Sequence, residues 1–104
     1  MANKNYEIII SENAAKMLLT HVRFLANVDI SSAKRLHAEI VSAIKSLKNL
    51  PDRYPWLTDN MIPANKYRKM PVAKQYLLIY QIKENSVYVD YIADCRQDYK
   101  WLTK

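Results

Sequence analysis

The stretch Tyr76-Leu77-Leu78-Ile79-Tyr80-Gln81-Ile82, then Lys83-Glu84-Asn85-Ser86, then Val87-Tyr88-Val89-Asp90-Tyr91-Ile92-Ala93 decides the fold. Both flanking runs are rich in β-branched and aromatic residues and too short for globular helices. The four residues between them are polar and suit a hairpin turn, with Asn85 expected at positive φ. Upstream, residues 66–72 form a weaker strand candidate. Pro71 confines it to a sheet edge or a strand end. Together these runs predict a three-stranded antiparallel meander.

Two helices precede it. Ala14, Ala15, Leu18, Leu19, Val22, Leu25 and Ala26 recur at helical spacing, with Ser11 as N-cap and Glu12 in the first turn. Asn27 is expected to end this helix in the left-handed region, and Asp29 or Ser31 to cap the next. Ala33, Leu36, Ile40, Ala43, Ile44 and Leu47 give the second stripe, and Pro51 stops it after Leu50. The short connector implies an antiparallel helical hairpin. Ahead of everything, Tyr6-Glu7-Ile8-Ile9-Ile10 reads as a short buried strand. Residues 97–104 are read as a final helical turn, with Trp101 and Leu102 packing back. The expected fold is α+β, with helices on one face of a mostly antiparallel sheet, in a single domain over residues 1–104.

Composition narrows the function. The chain has 104 residues and no glycine, where average usage would give roughly seven. A Walker A loop or a dinucleotide fingerprint is therefore impossible, and no nucleotide cofactor is expected. Turns must rely on other residues. Asn27, Asn49, Asn60, Asn65 and Asn85 fall at or near the expected breaks, and Asn tolerates the left-handed region. The net charge of +6 favours a polyanionic partner: nucleic acid, an anionic membrane or an acidic protein segment. The one cysteine, Cys95, forbids an intrachain disulfide and suits a reducing cytoplasm. His21 and His37 lie on helices without thiol or carboxylate clusters, so no metal site is expected. No apolar run approaches a membrane span, and no signal-peptide pattern opens the chain.

Basic and aromatic side chains gather at Lys66, Tyr67, Arg68, Lys69, Lys74 and Tyr76. On a strand, Lys66, Arg68 and Met70 point one way and Tyr67 and Lys69 the other. Lysines and arginines neutralise phosphates, and a tyrosine ring can stack a base. The same residues also suit a solvated strand whose long apolar stems cover the sheet.

The order of elements, with Tyr67-Arg68-Lys69-Met70-Pro71-Val72, the run from Tyr76 to Ile82, and Ala93-Asp94-Cys95-Arg96-Gln97-Asp98-Tyr99-Lys100-Trp101-Leu102, resembles the RelE/ParE superfamily of toxins. Pro51-Asp52-Arg53-Tyr54-Pro55 is similar to that family's passage from helix to loop. The resemblance covers nearly the whole chain. It implies the toxin half of a type II toxin–antitoxin module, acting in a bacterial or archaeal cytoplasm and neutralised by a cognate antitoxin. RelE-like members cut mRNA on the ribosome, whereas ParE-like members inhibit DNA gyrase. On the nuclease branch, Arg96 would clamp the phosphate and Tyr99 would match a catalytic tyrosine. Lys66, Arg68, Lys69, Lys74 and Tyr76 would contact nucleic acid or another target. Lacking glycine loops, the chain must make any phosphate contact with side chains such as Lys66, Arg68, Lys74 and Arg96.

Two departures favour the non-nucleolytic branch. RelE-like nucleases often carry Arg directly after the tyrosine that opens the third strand, and here Leu77 follows Tyr76. Near the C-terminus, where some members have His, Asp94 and Asp98 stand instead. A basic nucleic-acid-binding module, or a toxin homologue without activity, is the alternative from another class.

Overall fold

The computed structural model describes residues 5–58 and 63–94. The first helix, α1 (Glu12–Ala26), starts where the sequence places it. Ser11 is extended, and its Oγ accepts the Ala14 N–H at 2.9 Å. The same hydroxyl donates to the Asp90 carbonyl at 3.0 Å, tying the cap to the far end of the chain. α2 (Ile30–Ser46) is capped by Asp29. Its Oδ1 accepts the Ser31 N–H at 3.0 Å, and its Oδ2 accepts the Ser32 hydroxyl at 2.7 Å. Those two bonds, the hydroxyl first, hold the Asp29 carboxyl below its ordinary pKa.

Strands β1 (Glu7–Ile10), β2 (Arg68–Val72), β3 (Tyr76–Lys83) and β4 (Ser86–Asp94) form one sheet in the order β1-β4-β3-β2. The meander is antiparallel, as expected. β1 joins it parallel to β4, with Ile8 opposite Val87 and Ile10 opposite Val89, so the sheet is mixed. Opposite the Ile79–Tyr80 step, β4 carries one extra residue: Ile79 pairs with Tyr91 and Tyr80 with Val89, leaving Asp90 as a bulge. The bulge carbonyl is the group that Ser11 holds.

The helices cover one face of the sheet. Leu36, Ile40 and Ile44 from α2, Leu47 at its C-cap, and Ala14 from α1 pack on Leu78, Tyr80, Val87, Val89 and Ile92. A smaller apolar cluster lies on the other face, built from Leu57, Tyr67, Leu77, Ile79 and Ala93. β3 is therefore buried on both sides, which explains its unbroken apolar run.

The Pro51–Arg53 segment is one turn of 3₁₀ helix, which opens after Leu50 in the left-handed region. Tyr80 donates its buried hydroxyl to the Pro51 carbonyl at 2.5 Å and holds this turn against the sheet. Beyond it, residues 55–57 run beside β2: Leu57 N–H donates to Tyr67 O at 2.7 Å and Lys69 N–H to Pro55 O at 3.0 Å. The β2 edge, where Pro71 sits, is thereby partly closed.

The turns differ from expectation. Asn27 ends α1 at φ −68°, in the right-handed region. The positive-φ residues among those described are Leu50, Asn65, Ala73, Lys74 and Glu84, so only Asn65 fits the asparagine reading. In the β3–β4 turn, Glu84 takes φ 55° and Asn85 does not. The closure geometry of each hairpin fixes which position is left-handed, and that demand overrides local preference. The C-terminal helical turn expected at 97–104 lies outside the described residues.

Candidate functional site

Strand alternation divides the expected basic set between two faces. Met70 packs in the helix-side core. Arg68, on the same face, faces inward: its Nη1 donates to the Tyr54 carbonyl at 2.6 Å, and its guanidinium lies 3.8 Å from the Trp56 ring centroid. These contacts make it a clamp for the 54–57 segment. Tyr76 is also on the helix side, buried, with its ring 4.9 Å from that of His21. Lys74 sits at φ 68° in the β2–β3 turn, beside a groove it shares with Arg35, Ser32 and Glu39. Arg68, Lys74 and Tyr76 thus do not join Lys69 in one groove. Arg96, Tyr99 and Cys95 lie outside the described residues.

On the helix-free face a different set assembles. Tyr67, Lys69, Gln81, Lys83, Tyr88 and Tyr91 project there by strand alternation. Tyr67 and Tyr91 meet edge-on at 6.0 Å. The Lys66 ammonium lies 5.2 Å from the Tyr67 ring centroid, and that of Lys83 lies 5.6 Å from the Tyr88 ring. The Asp90 carboxylate accepts Gln81 Nε2 at 2.7 Å. Lys83, Tyr88 and Tyr91 were not in the set read from sequence. Their signal was the alternation of Val87 and Val89 with Tyr88, which puts the tyrosine opposite the core.

The electrostatics set the chemistry available. Burial, and secondarily the nearby Asp90 charge, pushes the Tyr67 phenol up to about 12. At neutral pH it is a hydrogen-bond donor and a poor base. Leu77 lies beside it in an apolar patch with Leu57, Ile79 and Ala93. The described part of this face therefore offers cations, aromatic surface and hydroxyl donors, a combination suited to binding an acidic surface.

On the helix side a cavity of about 480 Å³ is lined by Met17, His21, Phe24, Tyr76 and Asp94, with Lys16 and Thr20 also on its wall. His21 donates from Nε2 to the Ile92 carbonyl at 2.8 Å, which gives it an anchoring role. Among the described residues no three His, Cys, Asp or Glu side chains are grouped to hold a metal ion. No described helix is long and apolar enough to cross a membrane.

A helical hairpin packed on a mixed four-stranded sheet of this order is the architecture of the RelE/ParE class of toxins. A sequence model of the ParE toxin of type II toxin–antitoxin systems, parDE, matches residues 8–99. The chain belongs to that ParE toxin family. Its fold is similar to a solved chain described as "Chromosomal ParDE TA system from P. aeruginosa", with a TM-score of 0.71 and 13% identity. That match covers 88% of this chain and 97% of the other. No curated protein matches the chain.

Proposed function

We propose that this chain is the toxin of a type II module that inhibits growth in the cytoplasm by binding DNA gyrase, without cutting mRNA, and that a cognate antitoxin neutralises it. The observation that carries the reading is Leu77. It is buried among Leu57, Ile79 and Ala93, at the strand position where RelE-like nucleases often bring an arginine. An apolar side chain there supplies no donor for a phosphorane's charge. The lysines and tyrosines of the helix-free face then serve as a contact surface for an acidic target. Arg96 and Tyr99 act in target contact on this reading, with no catalytic role.

Expression of the chain without its neighbouring gene tests this, with supercoiling, translation and mRNA integrity followed in parallel. The expected result is arrested growth, blocked supercoiling and intact mRNA. Cleaved mRNA, lost on Arg96→Ala or Tyr99→Phe, would establish the nuclease. Unchanged growth, with salt-sensitive binding to nucleic acid, would establish the inactive binding module. The triple change Lys66→Glu, Lys69→Glu and Lys83→Glu is expected to abolish growth arrest while leaving the circular dichroism spectrum unchanged.

A further inference from the structure

The bulge in β4 brings Asp90 and Tyr91 to the same side of the sheet. Val87, Val89 and Ile92 pack under the helices, whereas Tyr91 and Ala93 belong to the cluster on the other face. Asp90 faces that other side as well. Its carboxylate accepts Gln81 Nε2 at 2.7 Å, and Gln81 stands opposite Tyr88 across the ladder. Asp90 and Tyr91 are thus neighbours both in sequence and on the helix-free face, which regular alternation forbids. The main chain is held in place from behind, where the Ser11 hydroxyl donates to the Asp90 carbonyl at 3.0 Å. Bulges re-aim side chains and are frequent beside functional sites.

The side chain so aimed has the wrong sign for its surroundings. Lys66, Lys69 and Lys83 make this face positive, yet none of them pairs with Asp90. The ion pair found among the described residues joins Lys16 to Glu12, on α1. Asp90 is half-buried, and its charge reaches the Tyr67 phenol, whose proton it helps to hold second to burial itself. Tyr67 and Tyr91 meet edge-on at 6.0 Å. Gln81 is a neutral donor, so it orients the carboxylate without balancing its charge. A half-buried carboxylate costs desolvation and repels an acidic partner, unless a cation arrives from outside. A guanidinium suits the place better than an ammonium. It is planar and weakly hydrated, pairs with a carboxylate through parallel N–H donors, and stacks on aromatic rings.

We propose that Asp90 is the receptor for one arginine of the gyrase surface that the helix-free face contacts, with the guanidinium paired to the carboxylate and laid against the tyrosine surface of Tyr67 and Tyr91. The inference rests on the gyrase reading and deepens it. The lysines attract acidic parts of the target from a distance, and the carboxylate fixes the register at contact. The contacted surface is then protein rather than DNA, because a phosphate backbone offers no cation and meets a like charge at Asp90.

Equilibrium binding of purified gyrase to the full chain tests it, with Asp90→Asn beside the parent. The amide can still accept the Gln81 N–H, so the substitution removes little besides the charge. The expected result is an affinity lower by about tenfold or more, with an unchanged circular dichroism spectrum. A face that holds acidic groups through its lysines alone predicts the opposite sign, since losing a negative charge raises its positive potential. Tighter or unchanged binding by Asp90→Asn therefore overturns the arginine receptor and leaves the gyrase reading standing. Absence of gyrase binding by the parent chain overturns both. A double-mutant cycle separates the ion pair from a structural effect. Exposed arginines of gyrase are changed to glutamine one at a time. One of them should weaken the parent by about tenfold and Asp90→Asn by less than about twofold. If Asp90→Asn fails to fold, Gln81→Leu takes its place in the cycle. It keeps the charge but releases the carboxylate from the bond that aims it, and its coupling to the same arginine should be about threefold or more. Losses that add at every arginine overturn the proposal.

Discussion

Replacing Tyr80 with phenylalanine separates one hydrogen bond from everything else the residue does. The ring is fully buried on the helix side of β3, and its hydroxyl donates to the carbonyl of Pro51, itself buried. Phenylalanine keeps the ring packing and removes the donor. The orphaned buried carbonyl then costs about 1–3 kcal/mol. For a domain near this size, each kcal/mol shifts Tm by about 4–8 °C, so a fall of roughly 5–20 °C is expected. The bond is also the anchor of the 3₁₀ turn, so the segment that Arg68 clamps through Tyr54 and Trp56 should loosen first. Exchange of the Arg53 amide, bonded to Leu50 O at 3.2 Å, reports that loosening. Alkaline pH gives an independent check. Burial raises the Tyr80 phenol above its ordinary value, so the folded chain holds this proton more tightly than the unfolded chain. The associated stability is complete below a pH of about 10 and is lost as pH rises toward the folded-state pKa. Tyr80→Phe should therefore lose less stability between neutral and alkaline pH than the parent does. A variant within about 0.5 kcal/mol of the parent, with an unchanged alkaline profile, would refute the argument.

Tyr67 makes the same alkaline argument on the other face. With its phenol pushed up to about 12, Tyr67→Phe should reduce the loss of stability above pH 10, as measured by urea titrations across that range. Ser11→Ala removes the α1 cap and the bond to the bulge together, and should cost about 1–2 kcal/mol in denaturant titration. A cost no larger than about 0.5 kcal/mol would mean that the bond to Asp90 contributes nothing. Glu84→Gly relieves a left-handed residue that bears a Cβ. It should stabilise by about 0.5–1 kcal/mol after the greater flexibility of the unfolded chain is subtracted, and an unchanged Tm would contradict strain at that turn.

Local periodicity made most of the elements legible. The alternation in β4, the stripe of α2 and the cap at Ser11 each follow from neighbours a few residues apart. The division of Tyr67 and Lys69 from Lys66, Arg68 and Met70 was also readable, because side chains on a strand alternate. What Arg68 does was not. A guanidinium in a basic cluster looks available for phosphate, and only the return of residues 54–57 against β2 shows it occupied. The left-handed turns were misread for a related reason. Asparagine marks where such a residue is tolerated, whereas Ala73, Lys74 and Glu84 stand where hairpin closure requires one. The gathering of Tyr88 and Lys83 with Tyr67 depends on cross-strand register, which the local pattern of one strand does not contain.

The parallel pairing of β1 with β4 has a consequence for how the protein is made. Ser11 and the carbonyl it holds on Asp90 are 79 positions apart. On the ribosome, at about 5–20 residues per second, that interval corresponds to roughly 4–16 s. Through that time the helical hairpin can form, because its contacts are close in sequence. The first strand must wait for a neighbour translated well after the helical hairpin. The central sheet, and any surface built on its helix-free face, is therefore completed only after β4 has been translated. A truncated product ending before residue 86 lacks the partner strand altogether, so interrupted synthesis would leave β1 unpaired and the sheet incomplete.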